Sequence, residues 1–206
     1  MPLLTASVSI AMTTTMNIPP LENDRVRLTL LDLSNYKHLL NIASQKDLVQ
    51  YSPSRIETPE ELKTFVQTAV DHYYHRVAIP FIVYDKHKQA YAGCTRFMNI
   101  DWDNKVLEIG STWIGREFQG TGLNANMKFL MLRYAFETLN FEKVEFRIDE
   151  RNTRSRKAVE KLDATLEGIL RKNVYLKDGF KRNTCCYGIL KEEWEKIKSG
   201  VFERFN

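Results

Sequence analysis

A glycine-rich segment directly before a helix-forming run contains groups that could bind an anion. Gln119-Gly120-Thr121-Gly122 precedes a helical pattern that begins at Leu123. Two glycines one residue apart let the backbone turn sharply and approach a ligand closely. The first N–H groups of a helix have no internal partner and lie at the positive end of its dipole. The segment therefore predicts a phosphate site, although a strand-to-helix turn without a ligand would have the same sequence.

The residues around these glycines exclude three common phosphate-binding motifs. The P-loop ends in Gly-Lys-Ser/Thr, whereas Leu123 and Asn124 follow Gly122 here. The dinucleotide fingerprint belongs to a βαβ unit, but the strand before Gln119 ends a predicted series of antiparallel hairpins. Kinase glycine loops lie between two strands rather than before a helix. The segment therefore predicts an anion site that matches none of these three motifs.

Glu108 is a second candidate for chemistry, because it lies in the apolar segment 106–110. Burial in a central strand would raise its carboxyl pKa toward neutrality, which suits a general base. Two other interpretations stay open. The carboxylate could form a structural ion pair with a basic residue such as Arg96, or it could be exposed at a sheet edge.

The hydrophobic periodicities predict a mixed α/β domain that would position these groups. The expected order is β-α-α-β-β-β-α-β-α-β-β, with strands at 26–30, 78–84, 90–98, 105–114, 143–149, 164–176 and 180–190. Ser34 and Asn152 can cap helices, and Thr58-Pro59-Glu60-Glu61 has the features of a helix N-terminus. Asp178-Gly179 favours a hairpin turn.

Length and composition indicate one globular domain. The chain has 206 residues, of which 43% are hydrophobic and 27% charged. We expect the domain at residues 22–195 and a tail at 196–206. Residues 1–21 have no charged side chain, so we expect a flexible extension there, with Met12 and Met16 as candidates for the native start. A weak export signal is the less favoured alternative for this segment.

The net charge and the cysteine content limit the binding partners and the cell compartment that we expect for this chain. The net charge of +4 is too small to argue for nucleic acid, and no apolar run is long enough to span a membrane. Three cysteines make no disulfide framework, which favours a reducing compartment such as the cytoplasm. The basic side chains concentrate at 151–161, expected near a phosphate ligand, and at 171–182, which fits a solvated hairpin or an acceptor-side surface.

The segment Gln119–Asn124 resembles the Gln/Arg-x-x-Gly-x-Gly/Ala acetyl-CoA signature of GNAT N-acetyltransferases, with Asn124 in place of the usual small residue. Residues 107–115 resemble the preceding strand in the branch of the ribosomal-protein N-terminal acetyltransferases (the Rim type). Residues 152–162 resemble the following helix of that branch, and 167–171 its sixth strand. The resemblance covers about residues 22–195. It implies a mostly antiparallel sheet of about seven strands flanked by helices, with acetyl-CoA at the junction of the fourth strand and the third helix.

The resemblance also implies an activity and a set of site residues. The activity would be direct acetyl transfer from acetyl-CoA to a primary amine, either a protein N-terminus or a small molecule. Glu108 would act as base and Ser155 as a possible proton donor. The implied acetyl-CoA-binding residues are Thr112, Trp113, Ile114, Gln119, Gly120, Thr121, Gly122, Leu123, Asn124, Asn152, Ser155 and Arg156. Arg116, Arg154 and Lys157 are further candidates for the phosphates.

Other functions compete with this one. A non-catalytic acyl-CoA-binding regulatory domain would keep the fold, but the presence of both Glu108 and Ser155 favours an enzyme. A nucleic-acid-binding module lacks an aromatic-basic motif, and the four histidines lack metal-ligand spacing. Buried cysteines make a covalent intermediate less favoured than direct transfer. Tyr51, Arg55 and Tyr73 are acceptor-side candidates, and the chain could be a monomer or a homodimer.

Overall fold

Eight strands hydrogen-bond into one sheet in the computed structural model, which describes residues 16–205. Their order is β1-β2-β3-β4-β5-β6-β8-β7, and every neighbouring pair is antiparallel except β5 and β6. The strands are β1 (Leu21–Glu22), β2 (Val26–Leu30), β3 (Ile79–Asp85), β4 (Ala90–Asp101), β5 (Val106–Ile114), β6 (Lys143–Asp149), β7 (Thr165–Tyr175) and β8 (Lys181–Leu190). The predicted mixed α/β class with a mostly antiparallel sheet is confirmed.

The described residues form five α-helices. These are α1 (Leu40–Ala43), α2 (Pro59–Tyr74), α3 (Leu123–Arg133), α4 (Thr153–Glu160) and α5 (Trp194–Gly200). The predicted start of α2 is confirmed, because the Thr58 hydroxyl accepts from the Glu61 N–H at 3.2 Å and the Glu61 carboxylate accepts from the Thr58 N–H at 3.3 Å. This reciprocal pair is a capping box.

Aromatic packing from the carboxyl-terminal segment holds α3 in place. Trp194 and Phe202 lie against the Phe129 ring of α3, with ring centroids 6.2 and 5.3 Å away. Residues 127–132 of α3 are all buried, so apolar packing surrounds the middle of this helix. The helix is therefore a firm support for the glycine-rich segment at its N-terminus.

Three details differ from the sequence-based predictions. Ser34 does not cap the first helix, because its N–H and hydroxyl both donate to the Asp32 carboxylate. The sheet has eight strands rather than about seven, since Leu21 and its neighbour form the short β1. Met16 and Ile18, which we expected in a flexible extension, pack against the core. Residues 1–15 of that predicted extension lie outside the described residues.

The parallel pair β5 and β6 separates soon after it begins. Backbone pairing joins Val106 to Lys143, Leu107 to Val144 and Glu108 to Glu145, and then stops. Beyond this point β5 pairs only with β4, and β6 only with β8. The two strands therefore leave a gap in the middle of the sheet.

A bulge and a close backbone contact fix β5 along the edge of this gap. Between Gly110 and Trp113, β5 contains one more residue than the facing part of β4, and Ser111 has a φ of 47°. Opposite it, Gly93 has a φ of +150°, and a Cβ there would lie 2.0 Å from the Trp113 carbonyl oxygen. A glycine at position 93 thus permits the approach of β4 to the end of β5.

Replacing Gly93 with alanine is expected to destabilise the fold by about 2 kcal/mol or more, because the new methyl group meets backbone rather than a movable side chain. Urea denaturation of G93A and of the unchanged chain measures the difference. Gly168 on β7 is the matched control, since a Cβ there meets nothing within 4 Å. We expect G168A to change stability by less than about 0.5 kcal/mol. Equal midpoints for G93A and the unchanged chain would contradict the backbone contact.

Candidate functional site

A cleft of about 1100 Å³ occupies the gap between β5 and β6. Its walls come from the loop at 47–54, the second half of β5, the segment at 116–124, the end of β6 and the helix α4. The volume is slightly above the range of about 300–1,000 Å³ that is usual for small-molecule sites. A ligand of substantial size therefore fits between the strands.

The glycine-rich segment exposes the N-terminus of α3 at one end of the cleft. Gly120 and Gly122 have φ values of 76° and 85°, and a Cβ at either position would meet nothing within 4 Å. Gly122 is the N-cap residue in a left-handed conformation, and no side chain caps the helix. The first N–H groups of α3 are therefore available to an external acceptor, as the sequence predicts for an anion site.

Gln119 connects this loop to the two neighbouring elements. Its Nε2 donates to the Ile114 carbonyl at the end of β5 at 2.8 Å, and its Oε1 accepts from Arg154 of α4 at 2.6 Å. One amide side chain thus links β5, the loop and α4. The predicted binding residue has a clear positioning role.

The cleft carries an excess of positive charge. Its lining includes eight basic residues and three acidic ones. The basic residues are Arg116, Lys128, Arg147, Arg151, Arg154, Lys157, Lys161 and Arg182, and the acidic ones are Asp47, Glu108 and Asp149. Such a surface concentrates anionic ligands.

Glu108 projects from β5 at the point where the strands separate, and only 6% of its surface is exposed. Its Oε2 accepts from Asn99 Nδ2 at 2.8 Å and lies 3.8 Å from Arg147 Nε. Burial raises the pKa of this carboxyl, while the Asn99 hydrogen bond and the nearby Arg147 oppose the rise. The net effect is a raised pKa, so this carboxylate is a stronger proton acceptor than an exposed glutamate.

Arg96, which the sequence offered as a structural partner for Glu108, does not pair with it. The Arg96 guanidinium lies over the Phe65 ring at 4.7 Å. Its Nε and Nη2 atoms are buried without a hydrogen-bond partner among the described residues. The contacts of the Glu108 carboxylate with Asn99 and Arg147 both involve its Oε2 atom.

Lys128 is a site residue that the sequence reasoning missed. It lies in the buried middle of α3 and is 5% exposed, yet it lines the cleft. Its Nζ donates to the Thr112 hydroxyl at 3.0 Å and lies 5.8 Å from the centre of the Phe146 ring. Burial lowers the pKa of this ammonium to about 7. A single lysine within the apolar run at 127–132 is the signal that could have found it.

Most of the predicted acetyl-CoA-binding residues meet at the cleft. The lining contains Thr112, Trp113, Ile114, Gln119, Gly120, Asn124, Asn152 and Ser155. Thr121 and Gly122 are exposed beside the lining, whereas the Leu123 side chain is fully buried in the core.

Arg156 is a predicted binding residue that the structure does not place in the cleft lining. Its guanidinium donates to the Tyr187 hydroxyl at 3.0 Å and to the Glu150 carbonyl at 3.3 Å, so it is absent from the cleft lining. Arg154, two residues earlier on α4, reaches the cleft instead. Successive helical residues turn by about 100°, so two residues apart lie on nearly opposite faces.

The start of α4 brings two other predicted residues to the cleft. Asn152 Oδ1 accepts from the Ser155 N–H at 3.1 Å, so the predicted helix cap is confirmed. The Ser155 hydroxyl has no hydrogen-bond partner within the described part of the chain. It is therefore free to contact a ligand.

The acceptor-side candidates do not all reach the cleft. Tyr51 lines it, and its carbonyl accepts from Arg182 at 2.9 Å. Arg55 lies in a separate cavity of about 330 Å³ with Glu57 and Lys177. Tyr73 instead donates its hydroxyl to the Met16 carbonyl. Tyr51 is thus the member of this group that the structure places at the site.

Residues 16–205 contain neither a metal centre nor a membrane-spanning helix. No group of three or more His, Cys, Asp or Glu side chains among them is arranged to hold a metal ion. No helix in this range is long and apolar enough to cross a membrane.

Comparison with known proteins places this cleft in a family context. The model of a GNAT acetyltransferase domain matches residues 25–165. A curated protein named "Putative ribosomal N-acetyltransferase YdaF", from Bacillus subtilis (strain 168), is 33% identical over 106 residues, which are 52% of this chain and 57% of that protein. The matched part thus spans little more than half of that relative.

Solved structures give broader coverage. A "putative acetyltransferase" from T. thermophilus is 30% identical, with a TM-score of 0.81 over 93% of this chain and 100% of that one. A GCN5-related N-acetyltransferase from Brucella melitensis is 26% identical, with a TM-score of 0.82 over 93% of this chain and 87% of that one.

Replacing Lys128 with methionine is expected to raise the thermal midpoint of unfolding at pH 7 by about 5 °C or more, because burial of an unpaired cation is costly. The pKa of Lys128 is about 7 in the fold against an ordinary value of 10.5. Between these values the unfolded chain binds more protons, so the stability of the unchanged chain rises with pH. The advantage of K128M should therefore shrink from pH 7 to pH 10.

Thermal unfolding followed by circular dichroism at each pH measures this difference. Lys63→Met is the matched control, since Lys63 is exposed on α2, and its midpoint should follow that of the unchanged chain. A constant gap between K128M and the unchanged chain over this pH range would contradict the lowered pKa.

Proposed function

Because this chain belongs to the GNAT acetyltransferase family, we propose that it transfers an acetyl group from acetyl-CoA directly to a primary amine. The observation that carries the proposal is one continuous cleft. It joins the uncapped N-terminus of α3 to the buried carboxylate of Glu108. An anion-binding end and a candidate base therefore share one cavity.

The cleft has groups suited to the anionic and extended parts of acetyl-CoA. The free N–H groups of α3, with Arg116, Arg154 and Lys157 nearby in the lining, would hold its phosphates. Thr112, Trp113 and Ile114 would lie along its pantetheine arm, where β5 has lost β6 as a neighbour. When bound, acetyl-CoA supplies the acetyl group as a reactive thioester. Asn124 is the departure from the family signature, and its side chain lies in the lining rather than in the core.

Glu108 is proposed as the general base. Its carboxylate would accept the proton that the acceptor ammonium must lose before its nitrogen can attack. The Asn99 hydrogen bond at 2.8 Å holds Oε2 in place, and the raised pKa makes the carboxylate a better proton acceptor than an exposed glutamate. Ser155, with its free hydroxyl, is proposed to contact the thioester end of the cleft.

The cysteines support direct transfer rather than an enzyme-bound acetyl group. All three are free thiols, and burial raises the pKa of Cys94 to about 12. Burial also raises the pKa of Cys185 and Cys186. Since the thiolate is the nucleophilic form, none of them is prepared to attack at neutral pH. Free thiols also fit the expected reducing compartment.

The acceptor is proposed to enter beside Tyr51, between the loop at 47–54 and the hairpin that joins β7 and β8. Arg151 lies 3.8 Å from the centre of the Phe180 ring of this hairpin and 5.5 Å from that of Tyr51, so its side chain bridges the two walls. A protein N-terminus and a small-molecule amine both remain within the proposal. The name of the YdaF relative, a putative ribosomal N-acetyltransferase, favours a ribosomal amine as the acceptor.

Ligand-dependent thermal stability tests the donor. We expect CoA and acetyl-CoA to raise the unfolding midpoint, while ATP and NAD at equal concentration give a smaller shift or none. A free-thiol assay with acetyl-CoA across amines and N-terminal peptides then tests transfer. Absence of stabilisation by either CoA species would overturn the proposal. Stabilisation without turnover on any amine would favour the non-catalytic acyl-CoA-binding alternative.

Replacing Glu108 with glutamine is expected to lower kcat about tenfold or more, because the base is lost while the shape is kept. Activity of the unchanged enzyme should rise with pH through the raised pKa of Glu108, since the ionised form is needed, and E108Q should lack this rise. Steady-state rates measured across the pH range check both points. Glu145→Gln is the matched control, because Glu145 is the register partner of Glu108 on β6 and is already paired with Lys143. An unchanged pH profile in E108Q would remove Glu108 from the mechanism.

A further inference from the structure

The Lys128 ammonium lies where the sheet is open. Its Nζ contacts Thr112 of β5 and approaches Phe146 of β6, and both residues come after the last backbone pair between these strands. All three residues line the cleft. A lysine from α3 thus reaches the gap between the strands, at the level where a ligand arm would pass.

The charge of Lys128 is not neutralised by any acid in the described part of the chain. No salt bridge joins it to Glu108 of β5 or Asp149 of β6, the acids that line the same cleft from neighbouring elements. The basic groups that line the same cleft from these neighbouring elements include Arg147 of β6 and Lys157 of α4. Burial accounts for the lowered pKa by itself, without a contribution from any of these charges. A buried cation without a counter-ion is costly to keep, which marks the position as a functional candidate.

A short chain of hydroxyl groups holds the lysine from the α3 side of the sheet. Thr112 Oγ1 accepts from Lys128 and lies 2.7 Å from Thr95 Oγ1, which in turn donates to the Met131 sulfur at 3.5 Å. Neither threonine takes a proton from an ammonium at neutral pH. The contacts therefore orient Nζ and leave its protons for a stronger acceptor.

We propose that Lys128 is a catalytic residue whose ammonium donates a proton to the CoA sulfur as it leaves the acetyl group. This inference rests on the proposed acetyl transfer. In the step, the carbon–sulfur bond breaks and its electron pair goes to sulfur. One Nζ–H bond breaks, a sulfur–hydrogen bond forms, and Lys128 is left neutral. Solvent returns its proton before the next turnover.

The acidity of the two groups is well matched for this transfer. The pKa of Lys128 is about 7, and that of a free thiol is about 8.5. Proton transfer from ammonium to thiolate is therefore favourable, while at pH 7 about half of the lysine still carries its proton. Ser155 lies across the cleft on α4, but a hydroxyl is a much weaker acid than this ammonium. Lys128 is thus the better placed donor by acidity.

The ultraviolet absorbance of the thiolate of enzyme-bound CoA gives a test that needs no turnover. Below pH 7, where most of Lys128 still carries its proton, the thiolate-to-thiol ratio of the bound CoA should be about tenfold or more higher than in K128M. Lys63→Met should titrate like the unchanged chain, and calorimetry verifies that each protein binds CoA. Identical titrations in K128M and the unchanged chain would overturn the role of Lys128. Failure of the unchanged chain to bind CoA would instead overturn the proposed function.

Steady-state kinetics of Lys128 variants distinguishes proton donation by this residue from an effect of its positive charge alone. We expect kcat to fall in K128M by about tenfold or more, with a smaller change in KM for acetyl-CoA. In the unchanged enzyme kcat should decline above pH 7 as Lys128 loses its proton, and in K128M this decline should be absent. K128R keeps a cation but holds its proton too tightly, so its kcat should stay low even where its bound-thiol titration is normal. Full kcat in K128R would overturn proton donation. S155A should keep the decline above pH 7, and its loss there would assign the donor to Ser155.

Discussion

The early end of pairing between β5 and β6 is the constraint on which the rest of the site depends. After three residue pairs the two strands separate, although each continues for several more residues. Backbone groups along a strand need partners, and those facing a gap must find them in water or in a ligand. The bulge at Ser111 and the close approach of Gly93 keep β5 attached to β4 along this open edge. The gap between β5 and β6 is thus fixed by the contacts of β5 with β4, its neighbour on the other side.

The elements around the gap give one end of it a positive character that suits an anionic ligand. The N-terminus of α3 lies at the end of β5, because the segment at 115–122 is short and Gln119 links it back to Ile114. Helix α4 begins just after β6 and brings Arg154 against the same glutamine. The aromatic contacts of Phe129 with Trp194 and Phe202 hold α3 from behind. Packing outside the cleft therefore decides where its positive end lies.

Local sequence signals predicted the frame well and the side-chain directions less well. The strands at 26–30 and 143–149, the caps at Thr58 and Asn152 and the glycine turn rest on local rules, and the structure has them. The partner of Glu108 was not predictable, because Asn99 lies in a one-residue bulge of β4 between Met98 and Asp101, which shifts the side chains that meet across the strands. Helical periodicity did not distinguish Arg154 from Arg156 as the residue at the cleft. Lys128 was missed because only the tertiary structure shows that this buried lysine of α3 lies in the lining of the cleft.

The two buried ionisable groups, Glu108 and Lys128, lie on opposite faces of the sheet, and this separation keeps them from forming an ion pair. Met98 is the register partner of Glu108, so these two side chains share one face of the sheet. Thr95 is three residues from Met98 along β4 and therefore lies on the other face. On that face Thr95 contacts Thr112, which accepts a hydrogen bond from Lys128. If Glu108 and Lys128 met, they would form an ion pair, which would lower the pKa of the acid and raise that of the lysine. Because the two groups are kept apart, burial raises the pKa of Glu108 and lowers that of Lys128. In the proposed reaction, Glu108 would accept a proton at the acceptor end while Lys128 would donate one at the thioester end, as acyl transfer to an amine requires.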